Sequence, residues 1–238
     1  VQRHLEGEPV AYLIGEWEFY GLPLDISERV LIPRPDTEVL AAAAIEGLQG
    51  VESPRVLDLC AGSGCVGLAV AKHVSGSHMV LGEIDEGALR VCRQNIRRTG
   101  LSGQVVSMQL NALEKAPPRL GEFDCIVSNP PYIPDGDIAG LDPSVRDYEP
   151  RLALYGGEDG LDFYRAIVKN YTPILRDGGF ICFEFGMGQE AEVCQILMEH
   201  GYQLGRLARD SGERARAVLA QKPITEDTGK ECEEDGEE

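Results

Sequence analysis

The chain has 238 residues, 43% hydrophobic and 26% charged, a composition that excludes wholesale disorder and allows one large domain with a small appendage. Its 22 Lys and Arg against 40 Asp and Glu give a net charge of −18 with no basic cluster, which argues against direct nucleic-acid binding. Seven cysteines without a C-x-x-C pair fit reduced cytoplasmic thiols, and no apolar run approaches the ~18 residues of a membrane span. The start, Val1-Gln2-Arg3-His4, has neither an initiator Met nor a signal peptide's apolar core, as expected of a sequence that begins inside a longer protein.

From Val10 to Ile32 apolar and aromatic residues alternate with polar ones and Gly, and a small β-hairpin region is expected there. Pro33-Arg34-Pro35-Asp36 stops that pattern, because each proline fixes its own φ and restrains the residue before it. Asp36 or Thr37 is placed to cap a following helix that runs to about Gln49. After Gly50 short apolar runs alternate with amphipathic stretches, the pattern of a parallel sheet flanked by helices. Strands are expected at 55–59, 79–83, 104–110, 123–128 and 180–185. Ala88, Leu89, Cys92 and Ile96 share one helix face, with Gly100 placed to end that helix. Further helices are expected over 162–175, where Pro173 kinks or shortens the end, and over 188–200, closed by Gly201. The runs 202–208 and 215–220 suit a terminal antiparallel pair. Eight acids and one base between Glu226 and Glu238, with no apolar partner residues, read as a disordered tail.

Two segments carry chemistry. Asp58-Leu59-Cys60-Ala61-Gly62-Ser63-Gly64-Cys65 follows one expected strand and opens a helix, where glycines admit a ligand to the backbone and the helix start offers unpaired N–H groups. A tight strand-to-helix turn is the plain alternative. Glu83 ends the next strand, where a carboxylate can accept both ribose hydroxyls of a nucleoside, although an exposed acid at a strand end would look the same. The second segment is Asn129-Pro130-Pro131-Tyr132, directly after the strand ending at Ser128. Ligands of open α/β sheets bind beyond the carboxyl ends of the strands, so this loop shares an edge with the glycine turn. The Asn129 side-chain carbonyl and the Pro130 main-chain carbonyl, restrained by Pro131, form two acceptors for a planar –NH₂ group. Holding both N–H bonds aims the nitrogen lone pair and favours pyramidalisation as positive charge develops. Tyr132 is placed to stack on the planar substrate.

These residues resemble a class I S-adenosylmethionine-dependent methyltransferase, and closely the HemK/PrmC family of protein-(glutamine-N5) methyltransferases. The matching stretches are Gly7-Glu8-Pro9-Val10-Ala11-Tyr12-Leu13-Ile14-Gly15, Leu31-Ile32-Pro33-Arg34-Pro35-Asp36-Thr37-Glu38, the glycine turn, Asn129-Pro130-Pro131-Tyr132-Ile133, and Tyr148-Glu149-Pro150 through Gly160-Leu161-Asp162. The N-P-P-Y loop alone is shared with DNA adenine-N6 methyltransferases, whereas the other segments are more specific to this family. The resemblance implies an α/β Rossmann-like domain with a seven-stranded, mostly parallel sheet, helices on both faces and a preceding small β-hairpin. It implies S-adenosylmethionine as cofactor and the Gly-Gly-Gln glutamine of class I peptide chain release factors as substrate. By the same resemblance Cys60, Ala61, Gly62, Ser63 and Gly64 line the cofactor's methionine part, Glu83 its ribose, and Asn111 with Ala112 its adenine. Asn129, Pro130, Pro131 and Tyr132 hold the glutamine amide, Asn129 also lies by the reacting methyl, and Pro33, Arg34 and Glu38 lie near the pocket mouth.

Three departures from the family stand out. Cys60 replaces the usual Gly and Asn111 the usual acid, from which altered cofactor affinity is expected, and most of an N-terminal helical domain is absent from this sequence. The expected organisation is a hairpin and linker region over 1–35, a methyltransferase domain over 36–221 and an acidic tail over 222–238, acting as a monomer. Alternatives are an adenine-N6 nucleic-acid methyltransferase, opposed by the charge, and a non-catalytic S-adenosylmethionine-binding module, opposed by the intact N-P-P-Y; a nicotinamide dehydrogenase would leave that loop unexplained. His4, His73, His78 and His200 are scattered without metal-ligand spacing, so no metal is expected. Cys60 and Cys65 suit packing thiols, and Glu184 either faces the site edge or caps the following helix.

Overall fold

The structure is a computed structural model that describes residues 2–224, so the tail expectation lies outside the described residues from position 225 on. The chain opens with two short helices, α1 (Gln2–Leu5) and α2 (Val10–Ile14), followed by a hairpin of β1 (Glu16–Phe19) and β2 (Leu22–Asp25). The hairpin is therefore shorter than the 10–32 alternation suggests. Pro9, with φ −58°, precedes a five-residue helix that Gly15 ends in the left-handed region at φ 75°. The two central residues of the hairpin turn, Tyr20 and Gly21, have φ of 52° and 74°, the pair of positive values that matches the twist of two-residue hairpins. Tyr20 tolerates this because its amide donates to Glu38 Oε1 at 2.9 Å and its ring meets His73 edge-on at 5.0 Å.

The segment before the first long helix also differs from expectation. Residues Pro35–Thr37 form a 3₁₀ turn leading into α3 (Glu38–Gly47), and neither Asp36 nor Thr37 caps through its side chain. Asp36 instead pairs with Arg216, and Thr37 accepts a hydrogen bond from Asn129. Tertiary partners outcompete the local cap.

The main sheet has seven strands in the order β5 (Val105–Gln109), β4 (His78–Glu83), β3 (Arg55–Leu59), β6 (Phe123–Ser128), β7 (Leu175–Glu184), β9 (Ala215–Gln221) and β8 (Gln203–Arg209). The first five are mutually parallel, while β9 runs antiparallel to both β7 and β8. Helices α4 (Cys65–His73) and α5 (Glu86–Arg98) follow β3 and β4; the short α6 (Pro143–Arg146) lies in the loop after β6; α7 (Asp162–Tyr171) and α8 (Glu190–Glu199) flank β7. The 162–175 helix ends early because Pro173, lacking an amide hydrogen, sits in a 3₁₀ turn over Thr172–Ile174. Leu175, 1% exposed, then pairs with Phe123 and starts β7 five residues sooner than its apolar core.

Alternation along the central strands divides the interior into two layers. Val56, Cys125, Val127 and Cys182 face α3, α4, α5 and the hairpin, whereas Leu57, Leu59, Ile126 and Phe183 face α7 and α8. Because both faces are covered, these strands read as nearly continuous apolar runs. Close packing of α4 on the sheet demands Gly67, where a Cβ would lie 2.2 Å from Leu81 Cδ2 and 2.9 Å from Asp58 Oδ2. Gly67→Ala should therefore lower unfolding free energy by about 1–3 kcal/mol in urea titrations, the usual cost of overpacking. Gly103→Ala, with nothing within 4 Å of the added atom, serves as a control with a shift below about 0.5 kcal/mol.

Candidate active site

The strand order reverses direction at β3 and β6, so the loops after these neighbours open away from each other and leave a crevice at their carboxyl ends. Leu59 and Ser128 are register partners at that edge, and the Ser128 hydroxyl donates to the Leu59 carbonyl at 2.6 Å. The glycine turn after β3 reverses the chain through three left-handed residues, Cys60 (φ 62°), Gly62 (54°) and Gly64 (83°). Gly64 precedes α4, and the Ala61 amide is tied to the Gly82 carbonyl at 3.1 Å. Glu83, 8% exposed, uses both carboxylate oxygens on this corner: Oε2 accepts from Gly62 N at 2.9 Å, and Oε1 from the amides of Ile84 at 2.7 Å and Asp85 at 2.9 Å.

A cavity of about 480 Å³ lies over this corner. Of the residues expected at a cofactor, Cys60, Gly62, Glu83, Asn111, Ala112 and Asn129 line it, whereas Ala61, Ser63 and Gly64 build the turn beneath without lining it. Asn111 is already engaged, its Oδ1 accepting from Leu113 N and its Nδ2 donating to Glu114, each at 3.0 Å. The roof was not legible from the sequence: Glu28 to Leu31, the stretch Pro150, Leu152 and Ala153, and Phe163 complete the walls. These positions are scattered and mostly apolar, and apolar side chains do not by themselves distinguish a pocket wall from a core.

A second, smaller slot of about 100 Å³ adjoins it, lined by Arg34, Asn129, Pro130, Tyr132 and Glu184 among others. Asn129 borders both spaces, and Pro131 faces the larger one. The Asn129 Nδ2 donates to Thr37 Oγ1 at 3.3 Å. The N-P-P-Y loop is held from outside by the Gly156–Gly160 segment. Ile133 N donates to Leu154 O, and Gly156 N to Ile133 O, each at 2.9 Å. A Cβ on Gly156 would fall 2.7 Å from Tyr132 Cα, and one on Gly160 2.3 Å from Tyr132 O, so these glycines are required by backbone-to-backbone contact. Gln189 Nε2 donates to Tyr132 O at 2.9 Å from the far side.

Arg34 reaches the slot with its guanidinium paired to Glu149, whose side chain is 1% exposed and whose Oε2 also accepts from Ile32 N at 3.2 Å. Pro33 is buried beside it, but Glu38 turns away from the slot to hold the hairpin. Glu149 and Thr37 are site residues that the sequence did not single out for the site; both stood inside recognised motifs, Thr37 only as a helix cap. Glu184 faces the slot and does not cap α8, which begins after Gln189.

Electrostatically the site is a buried acidic corner. Burial pushes the Asp58 carboxyl up to about 7 against the opposing hydrogen bond from Gly67 N at 2.9 Å. Burial likewise raises Glu184 to about 7, Cys65 to about 12 and Cys60 well above the ordinary thiol range, so both cysteines are protonated packing groups. Tyr132 is raised to about 12 by burial and stays neutral. Among the described residues no group of three or more His, Cys, Asp or Glu side chains could hold a metal ion, and no helix is long and apolar enough to cross a membrane.

Residues 37–140 match the family model described as the methyltransferase small domain. The chain is 40% identical over 212 residues to a release factor glutamine methyltransferase of Clostridium acetobutylicum, an alignment covering 89% of this chain and 74% of the relative. It is 41% identical to one of Geobacter sulfurreducens (85% and 69% covered) and 38% identical to one of Agrobacterium fabrum (92% and 76%). The chain belongs to the release factor glutamine methyltransferase family. The Rossmann-like fold recurs in a methyltransferase from Pyrococcus furiosus, with TM-score 0.61, 17% identity and coverage of 94% of this chain and 98% of that one. A ribosomal protein L11 methylase from Lactobacillus delbrueckii subsp. bulgaricus shares it at TM-score 0.60 and 18% identity, covering 84% of each chain.

Two predictions come from this geometry. A left-handed L-residue costs ~1–2 kcal/mol, and a β-branched one more. Cys60→Gly should therefore melt higher than the wild type in a thermal unfolding scan, while Cys60→Val should melt lower. The folded chain also keeps on Asp58 a proton that the unfolded chain releases near pH 4. This contribution to stability is full below that pH and is lost as pH rises through about 7. Asp58→Asn, which keeps an acceptor for Gly67 N, should show a smaller loss of urea midpoint between pH 5 and pH 8 than the wild type.

Proposed function

We propose that this chain transfers the methyl group of S-adenosylmethionine to the side-chain amide nitrogen, N5, of the glutamine in the Gly-Gly-Gln motif of a class I peptide chain release factor. The carrying observation is that Asn129 borders both the large cavity and the small slot, so one side chain touches the two places that donor and acceptor would occupy. The larger cavity fits the cofactor chemically. Glu83, preorganised by three backbone donors, would take the ribose; Cys60 and Gly62 would lie along the methionine part; Leu110, Ala112 and Phe163 offer an apolar bed to the adenine, with Asn111 at its edge. When bound, S-adenosylmethionine supplies an electrophilic methyl group on a sulfonium.

The rest is done by the chain's own residues. An amide nitrogen is a poor nucleophile because its lone pair is delocalised. The slot's two carbonyl acceptors, Asn129 Oδ1 and Pro130 O, would take both N–H bonds and so point the lone pair at the cavity shared through Asn129. Tyr132, neutral and held at its carbonyl by Gln189, would flank the planar amide. Arg34, its charge met by Glu149, would shape the mouth without presenting a bare cation. The proton freed from nitrogen can pass to solvent. This reading takes the chain as a cytoplasmic monomer, with residues 36–221 as the methyltransferase domain and no direct contact with nucleic acid.

The test is transfer of labelled methyl from S-adenosylmethionine to a purified class I release factor, beside its Gln→Ala variant and a DNA control. Label on the wild-type factor alone is expected; label on DNA, or equal label on the variant, would overturn the reading. Asn129→Ala should retain cofactor binding and lower transfer by about a hundredfold or more, the scale of removing a preorganised polar contact.

A further inference from the structure

The proposed reaction uses Asn129 as an acceptor, yet nothing in its own chemistry decides which end of its carboxamide faces the substrate. The two ends have similar shape and opposite hydrogen-bonding character, and Nδ2 turned into the slot would repel the substrate –NH₂. The side chains behind Asn129 settle the choice. Thr37, 2% exposed, lies at the start of α3, and Glu184, 5% exposed, lies at the end of β7. Asn129 Nδ2 donates to Thr37 Oγ1 at 3.3 Å. The Thr37 hydroxyl and the Asn129 side chain both stand near enough to the Glu184 carboxyl to stabilise its charged form. Among the described residues Glu184 Oε2, fully buried, makes no hydrogen bond and stands as an unmet acceptor at the slot that Asn129 also lines.

We infer that Glu184 and Thr37 are positioning residues that fix the Asn129 carboxamide with its Nδ2 inward and its Oδ1 toward the substrate amide. The inference rests on the proposed glutamine methyl transfer. Its logic is directional. An ionised carboxylate only accepts, so the unmet Glu184 oxygen draws the one hydrogen of the Thr37 hydroxyl, whose lone pairs already face Asn129 Nδ2. Asn129 can then meet Thr37 only with its –NH₂ end. A protonated Glu184 can donate instead, which frees the Thr37 hydrogen to point at Asn129 and lets the amide turn over. The carboxyl thus couples the orientation of Asn129 to pH.

The surrounding charges leave Glu184 in control of that step. Arg216 on β9 favours its charged form, but this guanidinium is spent on Asp36 at 2.8 Å and Asp210 at 2.7 Å, and Arg34, lining the same slot, is spent on Glu149. Asp36, in the turn before α3, acts in the opposite sense. Tyr132, Tyr164 and Cys65 also feel Glu184, and burial keeps all three protonated through the neutral range. Tyr164 donates to the main-chain carbonyl of Glu184 at 2.9 Å and so fixes its backbone without meeting its carboxyl. Burial holds Glu184 itself up to about 7, so the switch falls where the enzyme can be assayed.

The test compares wild type, Glu184→Gln, Thr37→Val and Thr37→Ser for methyl transfer to a release factor, with S-adenosylmethionine affinity measured separately by calorimetry. Wild-type kcat should rise with pH through about 7 as Glu184 ionises. Glu184→Gln should lose that inflection and fall by about 10- to 100-fold in kcat, the range for a misplaced catalytic contact, with cofactor affinity within about twofold of wild type. Thr37→Val should fall similarly, and Thr37→Ser, which restores the hydroxyl, should recover most of the loss. Wild-type kcat in Thr37→Val, or an unchanged acid limb in Glu184→Gln, would overturn the positioning role. A wild-type protein that moves no methyl group to the release factor would instead overturn the proposed function, so the two failures are distinguishable.

Discussion

Everything at the site depends on the side-by-side pairing of β3 and β6 in a sheet whose order reverses between them. The Leu59–Ser128 register, closed by the Ser128 hydroxyl on the Leu59 carbonyl, sets the glycine turn and the N-P-P-Y loop at one height above the sheet. A slip of one residue would turn Ile126 and Val127 to the wrong layers and exchange which loop atoms face the crevice. The apolar alternation that divides the two core layers is thus also what aligns the cavity with the slot. Packing and chemistry are specified by the same hydrogen-bond ladder.

Around that edge the chain buries four carboxyl groups and treats them unequally. Glu83 receives three backbone amides, and Glu149 receives Arg34 and an amide, so each has partners for its charge. Among the described residues Asp58 accepts from the Gly67 amide alone, and burial drives its carboxyl up to about 7. Glu184 is raised to the same level with one oxygen unmet. The number of donors aimed at each carboxyl matches what that carboxyl does. Glu83 and Glu149 are met by fixed backbone amides and a guanidinium, whereas Glu184 stands at the slot with one oxygen unmet. A buried acid this poorly satisfied is a cost to stability that the fold carries at a functional edge.

Much of this was legible in the sequence because local signals and tertiary context agree. Arg55–Leu59 and Phe123–Ser128 form strands at the residues their apolar runs mark, Gly100 ends α5 with φ 73°, and the terminal antiparallel pair closes the sheet. Failures occur where a local reading was overridden. Residues 10–14 alternate like a strand, yet Pro9 and Gly15 bracket one helical turn and a bit more. Asp36 and Thr37 are good caps in isolation, but an ion pair and the Asn129 amide claim their side chains. At the site, Glu83 and Asn129 could be singled out because strand ends and rare motifs locate them. Leu31, Leu152 and Phe163 could not, since a residue becomes a pocket wall only through neighbours that are distant in the chain.

That distance also explains why the longer motifs belong together. The Ile32–Glu38 segment and the Glu149–Asp162 run enclose the N-P-P-Y loop by hydrogen bonds and close packing. Arg34 and Glu149 join them across 115 residues, Ile32 N adds a second bond to the same carboxylate, and Gly156 and Gly160 let the second run lie directly on the backbone of Tyr132. The N-P-P-Y loop by itself offers two acceptors for any planar –NH₂ group. The wrap reduces the space before those acceptors to about 100 Å³, with Arg34 and Leu154 on its walls. The narrowness of the slot is then a property of the enclosing segments, and the loop they enclose supplies its carbonyl acceptors. A glycine-to-alanine change in that wrap would alter the slot without removing a single polar group from it, so the shape of the slot is set by backbone proximity.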